Sequence, residues 1–470
     1  MTCIFPLERS IHLYEYATMN TALLSATNLA PVDKEIDFGP LPLEGVISPD
    51  LRGTLVRNGP NPVDAATASH WFFGDGMLHA FHIENGEVHY RNRWVRTTRY
   101  RKAARLDVAP DEADSGTANT NVIRHAGKTL ALEEAHLPVA VTLPSLETVG
   151  TEDFGGQLRH RFTAHPKADA RGELVFFAYG VPDGLSAGMA VGALSAEGEL
   201  ITCEPFTAPY ASMVHDFAIT GEYALIPVMP LTGSRERLMA GGPAFAWEPE
   251  RGSWLAVIPR RDGVKAMRWL RAPLGYLFHV MNAWQDDRAL WLDVMQYDAP
   301  PLFTLPDGTP ASEPDAHSRL VRWQIPLHGD DEIRQQVLFD AGGDFPRIDE
   351  RFTGKLYRHG WFVTVCQENG ALPDRFNTLA HIDHLHGQVT TWQWPEAVSV
   401  SEPVFVADGP QAEEGTGTLL MTVWTAASNT SALVAFNALN IEQGPLWRAA
   451  LPVRVPDGFH GNWFADEEDK

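Results

Sequence analysis

Four histidines occur in similar local settings, His165, His215, His279 and His460. Each has apolar or aromatic neighbours and lies near the end of a strand-like run. A neutral imidazole buried among apolar side chains needs a partner for its ring nitrogen, and one metal ion would satisfy several imidazoles at once. The alternative is four separate histidines, each hydrogen-bonded to backbone. Because the spacings carry no metal signature of their own, the residues alone leave both interpretations open.

Two further motifs give weaker signals. The segment HIDHLH brings together His381, His384 and His386, and strand alternation would put His384 and His386 on one face. Asp383 is the one carboxylate there at ligand spacing, so a second metal site is not expected. The segment 73–76, Phe-Gly-Asp-Gly, is not a phosphate loop, because no Lys-Ser/Thr pair and helix follow it.

The elements that must position these residues are mostly strands. Short runs rich in Val, Ile, Phe, Trp and Tyr recur along the chain between Gly, Pro, Asp and Asn, which indicates strands separated by turns. Examples are LVFFAYG (174–180), ALWLDVMQYD (289–298) and TLLMTVWTAA (418–427). Asn85-Gly86 predicts a type I′ hairpin because both turn residues tolerate positive φ, and Asp262-Gly263 repeats the pattern. One helix is predicted within 232–240.

Many short strands without a Ser/Gly-rich linker favour one large closed sheet system. At this length, a β-propeller is more plausible than a sandwich. The longer Pro-rich insertions at 98–118, 181–213 and 299–318 are then predicted to be loops on one face, where binding sites are usually built.

Composition excludes several functional classes. Of 470 residues, 44% are hydrophobic and 21% charged, as in globular proteins. Lys+Arg 37 against Asp+Glu 60 gives a net charge of −23, which should repel a phosphate backbone, so no nucleic-acid partner is expected. Cys3, Cys203 and Cys366 lie far apart without a CxxC motif, so neither a disulfide framework nor a thiolate metal site is expected.

The start of the chain does not read as a secretory signal, because it lacks a basic segment followed by a continuous apolar run. No other stretch approaches the ~18 to 20 apolar residues that a membrane span requires. Residues 1–35 are predicted to be a flexible extension that precedes a single domain over 36–470. A cytoplasmic location without stable membrane insertion is expected.

Collinear blocks of the chain resemble the carotenoid cleavage oxygenase family, and most of all its bacterial lignostilbene dioxygenase branch. The resemblance runs from about residue 40 onward. Among the matching blocks are LRGTLVRNGPNP (51–62), NTNVIRHAGKTLALEEAHLP (119–138), TAHPK (163–167), MVHDFAIT (213–220), DFPRIDERF (344–352), SEPVFV (401–406) and VPDGFHGNW (455–463). The family fold implied is an all-β, seven-bladed β-propeller with a loop and helix cap over the metal-bearing face, so 36–470 would be one catalytic propeller with cap insertions.

The resemblance also implies a metal centre. His165, His215, His279 and His460 would be the four ligands of one non-haem iron(II) per chain, each delivered by a different blade. Three acidic residues would each accept a hydrogen bond from the outer nitrogen of a ligand imidazole; they are Glu134, Asp344 and Glu402. Asp344 replaces the family's usual Glu and is one methylene shorter, so its contact is expected to need a water or a small backbone shift. As lone carboxylates, Glu134 and Glu402 would more often be solvated surface charges.

Three more residues match positions around the open side of the iron. Thr120 resembles the residue that crowds one coordination position, although a strand-pairing Thr is an equal alternative. Tyr100 matches a Tyr that holds the phenol oxygen of lignostilbenes. In the lignostilbene branch a Lys also holds this phenol oxygen, and the matching position here is Glu133. A carboxylate can accept the phenol proton but cannot neutralise a phenolate. The alternative is that Glu133 faces solvent.

The implied activity is that of an iron(II) dioxygenase. It would cleave the conjugated C=C bond of a small phenolic alkene, a hydroxystilbene or a vinyl- or propenyl-phenol, into two carbonyl products, with O2 as co-substrate. An apocarotenoid substrate is the first alternative. A non-oxidative isomerase or a binding propeller is the second, and the presence of all four histidines argues against a pure scaffold.

Overall fold

The computed structural model describes residues 28–64, 71–109, 112–313, 317–329, 332–366, 375–396 and 398–466. These residues form strands almost throughout. Two short α-helices interrupt the strands in the described part of the chain, α1 (Thr98–Ala103) and α2 (Arg235–Met239), and α2 confirms the helix predicted within 232–240. Five 3₁₀ turns lie at Trp71–Phe73, Pro249–Arg251, Gly263–Ala266, Glu350–Phe352 and Ile441–Gln443. Within these ranges, no helix is both long and apolar enough to cross a membrane.

In chain order the strands begin with β1 (Asp37–Phe38), β2 (Leu43–Gly45), β3 (Gly53–Pro60), β4 (Gly76–Glu84), β5 (Glu87–Trp94), β6 (Asn121–His125), β7 (Lys128–Leu132), β8 (Val139–Val141), β9 (Thr148–Thr151), β10 (Lys167–Ala168) and β11 (Leu174–Tyr179). They continue with β12 (Gly188–Leu194), β13 (Leu200–Thr207), β14 (Ala218–Ile219), β15 (Tyr223–Val228), β16 (Leu231–Gly233), β17 (Phe245–Trp247), β18 (Ser253–Pro259), β19 (Arg268–Ala272), β20 (Tyr276–Gln285), β21 (Ala289–Tyr297) and β22 (Arg319–Pro326). The remainder are β23 (Arg334–Phe339), β24 (Asp344–Ile348), β25 (His359–Thr364), β26 (Thr378–Asp383), β27 (Gln388–Gln393), β28 (Val398–Val400), β29 (Val404–Ala407), β30 (Gly417–Thr425), β31 (Thr430–Asn437), β32 (Pro445–Ala450) and β33 (Gly461–Ala465).

Seven antiparallel sheets follow one another around an axis as the blades of a propeller, which confirms the predicted fold. Blade 1 is β33-β3-β4-β5-β1, blade 2 is β6–β9, blade 3 is β10–β13, blade 4 is β14-β15-β18-β19, blade 5 is β20–β23, blade 6 is β24–β27, and blade 7 is built from β28–β32 with β2. A separate two-stranded sheet, β16–β17, is inserted within blade 4.

Two pairings close the ring. Strand β33, which comes last, pairs with β3 in blade 1, with Gly461 opposite Arg57. Near the other end of the chain, β2 completes blade 7 by pairing with β32. Because the first and last blades each contain strands from distant parts of the chain, the ring has no open radial edge.

The outermost strands of the blades are more exposed than the central strands. In blade 3, β11 is the apolar run Leu174–Tyr179 and is buried at every position, as a strand packed between two neighbouring blades requires. In blade 5, by contrast, the outermost strand β23 (Arg334–Phe339) is polar and largely exposed. The hydrophobic core therefore lies between adjacent blades.

The two predicted hairpins differ. Asn85 and Gly86 join β4 to β5 with φ of 52° and 77°, which confirms the type I′ turn. The second prediction was wrong: Asp262 has φ −95°, and Gly263 starts a 3₁₀ turn within a longer connection between β18 and β19. A longer connection has no need of positive φ at both residues.

The predicted extension over 1–35 is too long. Residues 1–27 lie outside the described part of the chain, but residues 28–35 are held against the propeller. The Asn28 amide donates to the Val455 carbonyl at 3.0 Å, and the Val32 amide donates to Asn61 Oδ1 at 2.7 Å. Residues 28–35 therefore belong to the folded unit.

The three predicted insertions have different structures. The segment 181–213 is not one loop, because β12 and β13 of blade 3 run through it; its Pro and Gly residues conceal these two strands. The described part of 98–118 connects blade 1 to blade 2, and that of 299–318 connects β21 to β22 within blade 5. The first contains α1, and the second brings Phe303 to the aromatic residues described below.

Candidate metal centre

The four histidines predicted to form a metal site lie together. His165 and His215 precede the first strands of blades 3 and 4, His279 lies in the first strand of blade 5, and His460 precedes β33 of blade 1. Each offers one ring nitrogen, and these nitrogens all lie within 4.8 Å of one another. The closest pairs are the Nε2 atoms of His165 and His215 at 3.0 Å and of His279 and His460 at 3.1 Å.

Three of the four imidazoles donate from Nδ1 to a carboxylate. The pairs are His215 with Glu134 at 2.8 Å, His279 with Asp344 at 2.7 Å, and His460 with Glu402 at 2.9 Å. Such a bond fixes the tautomer, because a proton on Nδ1 leaves the Nε2 lone pair free to bind a metal. None of the three carboxylates is a solvated surface charge.

The arrangement of nitrogens fits a bound cation. In their neutral tautomers, His279 and His460 would face each other with two unprotonated Nε2 atoms 3.1 Å apart, which is repulsive unless a cation lies beside them. Two nitrogens bound to one metal at about 2.1 Å and at a right angle would be about 3.0 Å apart.

Burial, followed by the neighbouring imidazoles, lowers the pKa of His165 well below its ordinary value, and burial lowers the pKa of His460 to about 4. For His279, the pKa-lowering effect of burial is outweighed by Asp344, and the pKa is raised.

Each of the three carboxylates is itself held by a second donor, which sequence reasoning missed. The Tyr179 hydroxyl donates to Glu134 at 2.8 Å, and the Tyr297 hydroxyl donates to Asp344 at 2.8 Å. Arg347 pairs with Glu402 at 3.1 Å. Burial raises the pKa of Glu402, but Arg347 and then His460 outweigh it and hold the pKa at about 2. The carboxylates are therefore fixed on both sides.

Asp344 reaches His279 directly, so the shorter side chain needs no bridging water. The register of β24 shifts after Asp344, and the next residue, Phe345, has φ 54°. Strand β20, which carries His279, is also irregular, because its register shifts on both sides of Val280. Bulges of this kind re-aim side chains, and here they lie beside both partners of the His279–Asp344 contact.

The backbone around His460 is held by blades 1 and 2. Its amide donates to the Thr120 carbonyl at 3.1 Å, and its carbonyl accepts from the Asn58 amide at 2.8 Å. Thr120 also donates from its amide to the Leu132 carbonyl. Thr120 thus adjoins the histidine cluster and also makes a strand-like pairing, so the two interpretations of this residue are compatible.

Glu133 does not face solvent; it is buried. One carboxylate oxygen contacts Nδ1 of His136, and the other accepts from the Ala135 amide at 2.8 Å. Burial raises the pKa of Glu133, but the contact with His136 outweighs it, and the pKa is lowered; for His136 burial lowers the pKa, but Glu133 outweighs it, and the pKa is raised. His136 is another residue that sequence reasoning missed, although it lies only three positions after Glu133.

Tyr100 lies on α1 and is buried, with its ring beside Trp94 and under the Arg96 guanidinium. The segment that follows α1 contacts the elements of both Tyr100 and Glu133. Thr98 of α1 donates to the Ala113 carbonyl at 2.9 Å. A side chain at Gly116 would collide with Glu133 and His136.

Aromatic side chains line one side of the histidine cluster. The Phe278 ring meets the His215 ring edge to face at 5.9 Å and also contacts Tyr276, Phe72 and Phe303. We call Phe72, Phe278, Phe303 and Phe459 the aromatic wall. Sequence reasoning did not assign these residues, although Phe278 and Phe459 directly precede two of the histidines.

The HIDHLH histidines have other partners. His381 Nε2 lies 3.0 Å from Nδ1 of His359, and His384 Nδ1 lies 3.0 Å from the Arg322 guanidinium. His384 and His386 occupy the turn after β26, so they do not share a strand face as predicted. Within the described residues, these histidines do not form a metal-binding group.

Comparison with known proteins agrees with this geometry. A family profile described as retinal pigment epithelial membrane protein matches residues 29–465. The chain is 35% identical to isoeugenol monooxygenase from Pseudomonas nitroreducens over 93% of this chain and 96% of the relative. It is 32% identical to lignostilbene-α,β-dioxygenase isozyme III from Sphingomonas paucimobilis, over 93% and 95% of the two chains. The crystal structure of lignostilbene dioxygenase from Pseudomonas brassicacearum superposes with a TM-score of 0.89 at 32% identity, covering 96% of this chain and 100% of the other. The chain therefore belongs to the carotenoid cleavage oxygenase family.

Proposed function

We propose that this chain is a non-haem iron(II) dioxygenase that cleaves the conjugated C=C bond of a small phenolic alkene. The observation that carries the proposal is the group of four imidazoles whose metal-binding nitrogens lie within 4.8 Å of one another. One alkene and one O2 would give two carbonyl products, one oxygen atom in each. The names of the relatives, isoeugenol monooxygenase and lignostilbene dioxygenase, support a phenolic alkene as substrate.

The donor set supports iron. Imidazole nitrogen suits iron, copper, zinc and nickel, whereas thiolate or all-oxygen sites favour other metals. Among these metals, iron fits membership in an oxygenase family. When bound, iron(II) would supply the redox chemistry that activates O2, and the neutral ligands would leave its positive charge intact.

Within this proposal, His165, His215, His279 and His460 hold one iron per chain. Glu134, Asp344 and Glu402 keep the protons of three ligands on Nδ1. Thr120, whose carbonyl holds the His460 amide, would narrow the space beside the metal on the side of blade 2.

We propose that Tyr100 and Glu133 receive the phenol hydroxyl. The Glu133 carboxylate is ionised and buried, so it can accept a hydrogen bond from the phenol. Burial lowers the pKa of His136, but Glu133 outweighs it and the pKa is raised, so the imidazole beside Glu133 favours its charged form, a positive charge like that of the family's Lys. A phenol polarised toward its anion feeds electron density through the ring into the alkene, which favours attack by an oxidant.

The proposal is tested by reconstituting the purified chain with Fe(II) without oxygen and then admitting ¹⁸O2. The panel is isoeugenol, a hydroxystilbene, the O-methyl ether of each, and an apocarotenal. We expect the two phenols to be cleaved with one labelled oxygen in each carbonyl product, before exchange with water. Rapid cleavage of the apocarotenal with no cleavage of the phenols would replace the phenolic assignment with the apocarotenoid one.

A further inference from the structure

One buried hydroxyl beside the histidine cluster has no assigned role. Tyr276 is 1% exposed, and its hydroxyl oxygen has no hydrogen-bond partner among the described residues. Leaving such a group unpaired in a protein interior is costly, so native structures rarely do so without a functional reason. The neighbouring Tyr297, by contrast, donates to Asp344.

Tyr276 lies against the aromatic wall. Its ring meets Phe278 edge to face at 4.9 Å and lies 6.3 Å from the Phe303 ring, and Phe278 in turn contacts His215. Burial, followed by the negative charges of Glu134 and Asp344, raises the pKa of Tyr276 well above its ordinary value. The hydroxyl therefore keeps its proton and lies within electrostatic reach of two of the carboxylates that hold the histidines.

The ring of blades places Tyr276 across the axis from the proposed phenol site. Tyr100 follows blade 1, Glu133 follows the second strand of blade 2, and Tyr276 begins β20 of blade 5. Blade 5 is three or four blades from blades 1 and 2 in either direction, which is the largest separation that a seven-bladed ring allows. A substrate that lies across the axis with its phenol at Tyr100 would extend toward Tyr276.

We infer that the Tyr276 hydroxyl donates a hydrogen bond to an oxygen atom at the end of the alkene opposite the phenol. The inference rests on the proposed function and narrows its substrate class. It favours a stilbene with an oxygen substituent on the distal ring, or a phenolic alkene whose side chain ends in an alcohol or carbonyl. A simple propenylphenol would leave the buried donor unpaired.

The test compares two substrates that share the phenol and the alkene, 4-hydroxystilbene and 4,4′-dihydroxystilbene. For the wild-type iron enzyme, we expect kcat/KM to favour the dihydroxy compound by roughly 5- to 150-fold, the range for leaving one buried donor unpaired. In Tyr276→Phe the ratio should fall close to one, mainly through KM. The dissociation constants of the two stilbenes for the iron-free protein, measured by fluorescence, should show the same loss of preference.

The control is Tyr210→Phe. Tyr210 is also buried, but its hydroxyl donates to the carbonyls of Val228 and Gly252 between blade 3 and blade 4, so this change should leave the substrate ratio as it was. A wild-type ratio that persists in Tyr276→Phe, or a wild-type ratio close to one, would overturn the inference while phenolic cleavage stands. If neither stilbene nor isoeugenol is cleaved, the proposed function fails, and the two dissociation constants then decide the role of Tyr276 separately.

Discussion

The imidazoles of His279 and His460 face each other through Nε2 atoms 3.1 Å apart, while the opposite nitrogen of each ring donates to a carboxylate. This pairing links blade 5 to the segment that enters blade 1. Two neutral rings held in this way present their lone pairs to each other, and a shared cation removes the repulsion.

Removal of one imidazole should therefore abolish stable metal binding. We expect wild-type protein reconstituted with Fe(II) to retain one iron per chain and His460→Ala to retain little, because three ligands bind iron less tightly than four. Metal analysis after gel filtration measures the retention, and circular dichroism checks the fold. Full iron content and turnover in His460→Ala would contradict the ligand assignment.

Asp344 should act through His279. We expect Asp344→Asn to lower iron affinity or activity by roughly 10- to 100-fold, because the partners of ligand histidines contribute on that scale. Asp344→Glu keeps the charge and restores the family's residue, so it should retain iron. Tyr297→Phe, which removes the donor to the other oxygen of Asp344, should have a smaller effect of the same kind. Normal iron content and rate in Asp344→Asn would show that the contact does not support the metal.

The phenol site should distinguish a phenol from its methyl ether. A site built around a buried hydroxyl partner rejects the analogue that lacks it by about 10⁴-fold or more, whereas an apolar pocket discriminates by about 10- to 200-fold. We expect Tyr100→Phe and Glu133→Gln each to lower kcat/KM for the phenol and to reduce this ratio. Glu133→Lys, which recreates the lignostilbene pattern, should favour hydroxystilbenes. Equal turnover of phenol and ether in the wild type would rule out a role for Tyr100 and Glu133 in phenol recognition.

The Glu133–His136 pair should make stability depend on pH. Folding lowers the pKa of Glu133, so its contribution is present above the ordinary value of 4.5 and is lost as pH falls through the lowered pKa. Folding raises the pKa of His136, so its contribution is present below 6.5 and is lost as pH rises through the raised pKa. Urea unfolding of wild type and His136→Gln should therefore differ most between pH 4.5 and 6.5, and the difference should shrink on the alkaline side. A difference that is constant from pH 5 to 9 would show that His136 stabilises the fold without its charge.

Local sequence patterns predicted the features that depend on a few neighbouring residues. The Asn85-Gly86 prediction was confirmed, because a type I′ turn depends only on two residues that adopt positive φ. The Asp262-Gly263 prediction was wrong because the pairing of β19 with β18 sets the length of the connection. Two residues of sequence do not encode that length. The strands within 181–213 were missed for a related reason, since Pro205 lies in β13 at the outer edge of its blade, where a residue without an amide hydrogen is tolerated.

The histidine cluster was predicted from family resemblance and could not have been found from spacing. Its members come from four blades, so their sequence separations reflect the lengths of blades and not the geometry of the site. His136, Tyr276 and Tyr297 were missed because each is an ordinary strand or loop residue in the sequence. The contact of Tyr297 with Asp344 forms only when the ring brings distant segments together.

Closure of the propeller by β33 has a consequence for assembly. His460 directly precedes β33, so it reaches the axis only when the last described strand pairs with β3. During synthesis, the other three histidines leave the ribosome long before it. A newly made chain would therefore complete the proposed set of nitrogen donors only when the ring closes, and stable retention of a metal would report a closed propeller.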